Sequence, residues 1–310
     1  MKIIRGIYNL KHQFSRCALT MGNFDGIHLG HQSLITRLKQ IAKELDLPTV
    51  VMIFEPQPLE FFLAEKAPAR LTSFQEKYAY FKELGVDYLL CVPFNHTMAD
   101  LPAEAFVEQW LIKQLQAQYI IIGDDFKFGK ARAGSFELLA NYAQQGCFQV
   151  ENLPSFFVDG VRVSSSAVRE ALANDDFQLA TRLLGRPYAI EGKVVHGNAL
   201  ARQLGFPTAN IHLHRKNAAL QGVYFVTVSD VEKHHHYHGI ANIGQRPTIN
   251  GKTTVLEVNL FDFSNDIYGH HLNVVFHEKL RNEKKFASLN ELKQQIAQDV
   301  CIARQISAKF

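Results

Sequence analysis

The chain has 310 residues, 47% of them hydrophobic and 20% charged, and a formal net charge of +3. That length predicts two domains, each large enough for its own core, in a globular protein of ordinary composition. The charge is too small to imply a nucleic-acid partner, and no apolar run approaches the ~20 residues that span a bilayer.

The start, Met1-Lys2-Ile3-Ile4-Arg5-Gly6, lacks the apolar core and cleavage site of a signal peptide, which predicts a cytoplasmic protein. Beyond it, short apolar runs predict strands over 17–21, 49–54, 88–93 and 119–123. Helical periodicity predicts helices over 31–46, 73–84, 102–116 and 134–145. Apolar strands separated by amphipathic helices predict a parallel sheet covered on both faces. Ligands in such sheets bind beyond the carboxyl ends of the strands. The loops at His28–His31, Phe54-Glu55-Pro56 and Gly123-Asp124-Asp125 each follow a strand, so all should open onto one face. The pattern changes near Gly185-Arg186-Pro187, which predicts domains at 1–185 and 186–310. Strands over 188–195, 223–229, 238–243, 253–262 and 272–278 then predict an antiparallel sheet or small barrel. A helix closes the chain. Ser288 and Glu291 form its capping box, and Leu289, Leu292, Ile296, Val300 and Ala303 its apolar stripe. Cys17, Cys91, Cys147 and Cys301 are widely spaced with no CxxC, which predicts reduced, buried thiols.

The run Gly22-Asn23-Phe24-Asp25-Gly26-Ile27-His28-Leu29-Gly30-His31 lies between the first of these strands and a helix beginning near His31. A helix N-terminus favours anions through its unpaired N–H groups and macrodipole. His28 and His31 add donors, and Gly26 and Gly30 allow close approach to the backbone. An isolated HxxH would read as a glycine turn with incidental histidines. The flanking strand, helix and glycines favour a polyphosphate site, most simply for ATP. A second candidate is Val161-Arg162-Val163-Ser164-Ser165-Ser166-Ala167-Val168-Arg169. Serines that start a helix are ordinary caps. With Arg162 and Arg169 they also suit a pyrophosphate.

GNFDGIHLGH resembles the HxGH signature of nucleotidylyltransferases, and RVSSSAVR resembles their second signature, ISSTxxR. FEPQP, RLTSFQEK, GVDYLL and IIGDDFKFG extend the likeness to the bacterial bifunctional riboflavin kinase/FMN adenylyltransferases. LLGRPYAIEGKVVHG, LGFPTANI, GVYFV, ANIGQRPT, LEVNLFDF, IYG and LRNEKKF carry it through nearly the whole chain. The resemblance implies an α/β plus β architecture. A Rossmann-like parallel-sheet nucleotidylyltransferase domain would be followed by a small antiparallel β-barrel kinase domain with a terminal helix. It implies that riboflavin is phosphorylated by ATP to FMN, and that FMN is adenylylated by ATP to FAD and pyrophosphate. Mg²⁺ is the implied metal. No nucleic acid, membrane or obligate protein partner is implied.

Residue by residue, the resemblance makes His28 and His31 catalytic in adenylyl transfer. Gly22, Asn23, Phe54, Asp125, Arg162, Ser164, Ser165 and Arg169 would bind ATP and FMN. Thr208 and Asn210 combine a hydroxyl and an amide oxygen two residues apart, on one side of an extended segment. Hard oxygens suit Mg²⁺. Alone they read as an ordinary turn, and the resemblance makes them the metal and ATP contacts. It likewise makes Glu257, on an alternating strand, the general base, and places Gly197 and Arg281 at the ATP and flavin sites.

The chain departs from the family pattern in two places. Gln57 stands where the family usually has histidine, and a glutamine donates hydrogen bonds without carrying charge. That predicts weaker adenylyl transfer or no catalytic role at this position; an enzyme with only its kinase active is the corresponding alternative. The loop His196-Gly197-Asn198-Ala199-Leu200-Ala201-Arg202 has alanine where many relatives have glycine, which would restrict close approach of a phosphate. The cluster His234-His235-His236-Tyr237-His238 reads as a solvated hairpin turn, because adjacent strand residues point to opposite faces. A flavin- or nucleotide-binding regulator without catalysis is the alternative outside the enzymes.

Overall fold

The computed structural model describes residues 1–10, 13–196, 205–213, 215, 217–231, 235–248 and 251–309. They form two compact units, Met1–Pro68 with Phe74–Ser164, and Ala69–Ser73 with Ser165–Phe310.

The first unit is built on six parallel strands in the order β1-β4-β3-β2-β5-β6. These are β1 (Lys2–Arg5), β2 (Cys17–Met21), β3 (Thr49–Glu55), β4 (Tyr88–Pro93), β5 (Ala117–Gly123) and β6 (Gln149–Leu153). Alternation along the strands feeds two cores. Leu19, Met21, Val50, Met52, Leu90 and Ile120 enter one, and Ala18, Val51, Ile53, Leu89 and Ile121 the other. β1 and β6 were not expected. They lie at the sheet edges, and only Ile4 of β1 and no residue of β6 is fully buried, so neither carries a continuous apolar run.

Helix α1 (Leu29–Glu44) buries Leu34, Ile35, Leu38, Ile41 and Ala42, as its periodicity requires. It begins earlier than expected because His28, not a residue near His31, is its N-cap. Then come α2 (Pro58–Leu63), α3 (Phe74–Glu83), α4 (His96–Ala99) and α5 (Ala103–Ala105). The α-helix expected over 102–116 is instead short α5 followed by the π-helical turns Phe106–Gln114. Their wider winding seats Phe106, Val107, Leu111 and Leu115 in one core. Helix α6 (Phe136–Gln144) and the hairpin β7 (Phe157–Val158) and β8 (Val161–Arg162) complete the unit.

The second unit opens with α7 (Ser165–Ala173) and α8 (Phe177–Leu184). Its strands are β9 (Ala189–Val195), β10 (Ala209–His212), β11 (Gly222–Asp230), β12 (His236–Thr248), β13 (Gly251–Leu260) and β14 (His271–Arg281). All pair antiparallel, and they close as β10-β13-β12-β11-β14-β9. The segment 69–73 is stitched into this unit. The guanidinium of buried Arg215 donates to the carbonyls of Arg70 (3.2 Å) and Leu71 (3.0 Å).

Helix α9 (Leu289–Ser307) covers one side of the barrel, where Ala303, Ile296, Val300 and Ile306 pack on Val223, Phe225, Ile240 and Phe261. Ser288 caps it by accepting from the Glu291 N–H at 3.2 Å, as its sequence predicts. Leu289 does not join the stripe: it is 56% exposed and is not among the residues packed on the barrel. Arg281 ties this helix to β14. Its Nε and Nη2 donate to the Asp299 carboxylate at 2.8–3.0 Å, and Asp299 is 2% exposed. Removing the buried Asp299 leaves the partly exposed Arg281 without its carboxylate, a loss of charge-assisted hydrogen bonds. Asp299→Ala is therefore expected to cost about 2 kcal/mol of stability, read as a lower urea midpoint for the second unit.

All four cysteines are free. Cys17 is buried, and burial pushes its thiol up to about 12. Cys91 and Cys147 are only partly covered, and Cys301 is exposed, which corrects the expectation of uniform burial. Cys301 lies on the outward face of the amphipathic α9. In the histidine cluster, His234 lies outside the described residues. His236, Tyr237 and His238 are not in a turn but open β12, where backbone pairing to β11 continues. His238 hydrogen-bonds the Ser307 hydroxyl on α9. Among the described residues no group of histidine, cysteine and acidic side chains is placed to hold a metal.

Candidate active sites

The strand order of the first unit reverses at β2. β3 and β4 lie on one side of it, and β5 and β6 on the other. Ligands of open parallel sheets bind beyond the strand ends at such a switch point. The loops after β2, β3 and β5 leave the same end because these strands are parallel neighbours.

The loop after β2 holds His28 and His31 with their rings stacked, centroids 3.7 Å apart and 16° from parallel. His28 Nδ1 accepts the backbone N–H of His31 at 3.4 Å. A neutral imidazole that accepts at Nδ1 carries its proton on Nε2, so that nitrogen is the donor. Gly30 makes room for this cap, since a Cβ there would stand 3.3 Å from His28 Nδ1. Its missing side chain thus serves the His28 ring directly. His31 Nδ1 is buried with no hydrogen-bond partner. Its pKa lies well below the usual histidine value, first from desolvation and then from the charges of His28 and Lys77. His31 is accordingly neutral near neutral pH, facing an N-terminal helix end that favours anions.

Asn23 is exposed, and its carbonyl accepts from Lys77 Nζ at 2.8 Å. Gly22 continues the β2–β3 link by donating to the Met52 carbonyl at 3.1 Å. At the end of β3, Phe54 is buried and packs edge-on to Phe94. Gln57 caps α2 and is buried, with Nε2 unpaired. After β5, Asp125 is 74% exposed in its side chain and pairs with Arg162 Nη2 at 3.2 Å. Arg162 also meets Asp124 (3.1 Å) and the Ser155 hydroxyl (2.6 Å). Ser155, then Arg162, hold Asp124 below the usual carboxylate range. Arg162 and Asp125, both expected at the site, are thus in contact. Ser164 ends the first unit, whereas Ser165 and Arg169 lie on α7 in the second, where Arg169 Nε donates to the Ala69 carbonyl at 2.5 Å.

In the barrel, register places the second set of residues together. Glu257 of β13 stands opposite Asn210 of β10 on one side and Asn242 of β12 on the other. Directly opposed residues share a face. Their neighbours Ile211, Leu256, Ala241 and Ile243 are buried on the other face. Thr208 precedes β10, and Asn259 Nδ2 supports this approach by donating to the Pro207 carbonyl at 2.8 Å. Asn210 gives its Nδ2 to the Thr208 carbonyl at 3.4 Å, leaving its amide oxygen as acceptor. Arg281 lies on the same row across the barrel, since Val223 pairs with Asn242 on one side and with Arg281 on the other; besides Asp299, it donates Nη1 to the Asn282 carbonyl at 3.0 Å. Gly197, with both alanines of its loop, lies outside the described residues.

Sequence reasoning missed Lys77 and Asn242. Lys77 occupies a core position of α3 at helical spacing from Phe74 and Phe81, a charge where an apolar residue belongs. Asn242 interrupts the apolar alternation of Ile240, Ala241 and Ile243 in β12. Both signals are visible in the sequence once the buried face is known.

The family model for FAD synthetase matches residues 10–167, and that for riboflavin kinase matches residues 184–307. The bifunctional riboflavin kinase/FMN adenylyltransferase of Haemophilus influenzae is 49% identical over 304 residues, covering 98% of each chain. That of Escherichia coli is 49% identical, covering 98% of this chain and 97% of its own. A crystal structure described as a macrolide-efflux protein from Streptococcus pneumoniae is similar with a TM-score of 0.77 and 32% identity, over 97% of this chain and 98% of that one. Among the described residues no helix is long and apolar enough to cross a membrane. Two family models in tandem, whole-length relatives and a parallel sheet followed by a closed barrel agree: this chain belongs to the bifunctional riboflavin kinase/FMN adenylyltransferase family.

Proposed function

We propose that residues 186–310 phosphorylate riboflavin with ATP and that residues 1–185 join the resulting FMN to the AMP moiety of ATP, giving FAD and pyrophosphate. The observation that carries this division is the pairing of two unlike constellations in one chain. Stacked histidines cap a helix at a sheet switch point, and a separate carboxylate stands between amides on a barrel.

In the barrel, Glu257 accepts the proton of the flavin's 5′-hydroxyl as that oxygen attacks the γ-phosphorus of ATP. Asn210 and Asn242 flank it and orient the reacting groups. The donor set of Thr208 and Asn210 is hard oxygen, with the Asn210 amide oxygen left as acceptor, and fits Mg²⁺. Bound there, the ion would neutralise phosphate charge. Two neutral protein oxygens suit an ion that keeps waters and shares phosphate ligands.

In the sheet unit no protein nucleophile is needed. The FMN phosphate attacks the α-phosphorus, and pyrophosphate leaves. His28 Nε2–H, His31 and the α1 N-terminus stabilise the charge that develops. Gly22 and Asn23 shape the loop, and Phe54 and Asp125 line the nucleotide and flavin side. Arg162, held by Asp124 and Asp125, presents a positioned cation. Both reactions are assigned to the cytoplasm.

Chromatography of the products formed from riboflavin, ATP and Mg²⁺ tests the reading. FMN followed by FAD is the expected result. FMN alone would leave only the kinase active and point to Gln57. Binding without either product would overturn both activities.

A further inference from the structure

Lys77 is 0% exposed, on a helix whose other buried residues are Phe81 and the acidic Glu76. Lysine is almost never fully buried unless its charge is used. Its Nζ donates to the Asn23 carbonyl at 2.8 Å. The next residue, Phe24, has φ +48°, and Ile27 has φ +42°. Both angles lie in the left-handed region, which bulky and β-branched side chains avoid. Such a loop persists only where its surroundings hold it. Lys77 holds it at the carbonyl just before the first strained residue. One turn further along α3, Phe81 packs edge-on to Phe24 at 5.4 Å, and Phe24 lies 4.9 Å from the His31 ring.

We propose that Lys77 is the positioning residue of the adenylyl-transfer site: from beneath, it pins at the Asn23 carbonyl the strained loop that presents His28 and His31. The proposal rests on the reading of residues 22–31 as the polyphosphate loop.

The charged and titratable groups around this point come from every neighbouring element. His28 and buried Asp25 belong to the loop itself, Glu76 to α3, Glu55 to the end of β3 and Cys91 to β4. Glu55 and Lys77 act on Cys91 in opposite senses, and Lys77 and His28 both act on His31 to disfavour its protonated form. A neutral His31 meets the polyphosphate as a hydrogen-bonding group. Protonation is left to be driven by the arriving anion.

The test compares Lys77→Met, Lys77→Gln and Lys77→Arg in the full chain. His31 is titrated by NMR in the free protein, its signal assigned by its loss in His31→Gln. Removing the cation should move the His31 titration upward, toward the ordinary histidine range, in both the Met and Gln variants. Lys77→Arg should leave it low. The pH at which the FMN-to-FAD rate changes should rise with the titration. Lys77→Met should in addition raise KM for ATP about tenfold, roughly the loss of one hydrogen bond to a charged donor. Lys77→Gln keeps a donor for the Asn23 carbonyl and should lose less. Riboflavin phosphorylation reports folding and should stay within about twofold. An unmoved His31 titration in Lys77→Met would overturn the proposal, as would an unchanged KM and pH profile. The titration uses no substrate, so it answers for Lys77 even if the wild-type chain makes no FAD.

Discussion

Replacing His28 with alanine is expected to lower FAD formation about 10²–10³-fold, the usual effect of removing one preorganised donor from a developing charge. FMN formation by the same protein should continue, because the barrel carries its own constellation. The structure adds a complication that sequence alone does not reveal. His28 Nδ1 is also the N-cap of α1, and losing a cap costs about 1 kcal/mol. His28→Asn separates the two roles. Asparagine is among the best N-caps, so this variant should regain stability in thermal unfolding while remaining deficient in FAD formation. Rate restored together with stability would mean that His28 serves the helix and not the chemistry.

Glu257→Gln is expected to produce the complementary phenotype. Phosphorylation of riboflavin should fall about 10²–10⁴-fold, the range for loss of a general base. Adenylylation of added FMN should be unaffected. Glutamine has nearly the same shape and can still pair with Asn210 or Asn242, but it cannot take a proton. Steady-state rates with riboflavin and with FMN as alternative substrates read the two reactions separately. A single substitution that removed both activities from a folded protein would contradict the division of labour.

The parts of the fold legible in the sequence are those where one force dominates. β2 and β3 are central and buried, so continuous apolar runs identify them. α1 has a clean apolar stripe. The edge strands β1 and β6 are half polar and carry no such signal. The π-helical winding of Phe106–Gln114 was invisible for another reason: its buried residues recur at spacings that an α-helix also nearly satisfies.

The sites divide in the same way. Motif spacing pointed to His28 and His31, because chemistry restricts residue type, whereas Thr208, Asn210 and Glu257 stood out only through the resemblance to the family. The cap made by His28, the commitment of Arg281 to Asp299 and the burial of Lys77 depend on tertiary neighbours, and no local pattern encodes them.

The sheet and the barrel also differ in how they face other chains. Among the described residues, the strands of the second unit close into a barrel and so leave no open sheet edge as a template for a foreign strand. The sheet must end somewhere, and it ends in two guarded strands. β1 has only the residues Lys2–Arg5, with a charge at each end, and β6 carries Glu151, held by Arg37 at 2.9 Å. Short, charged edges are how open sheets discourage strand addition. Vulnerability to self-assembly is thereby concentrated at β1 and β6, and neutral β-branched residues introduced there would turn a solitary sheet into a polymerising one.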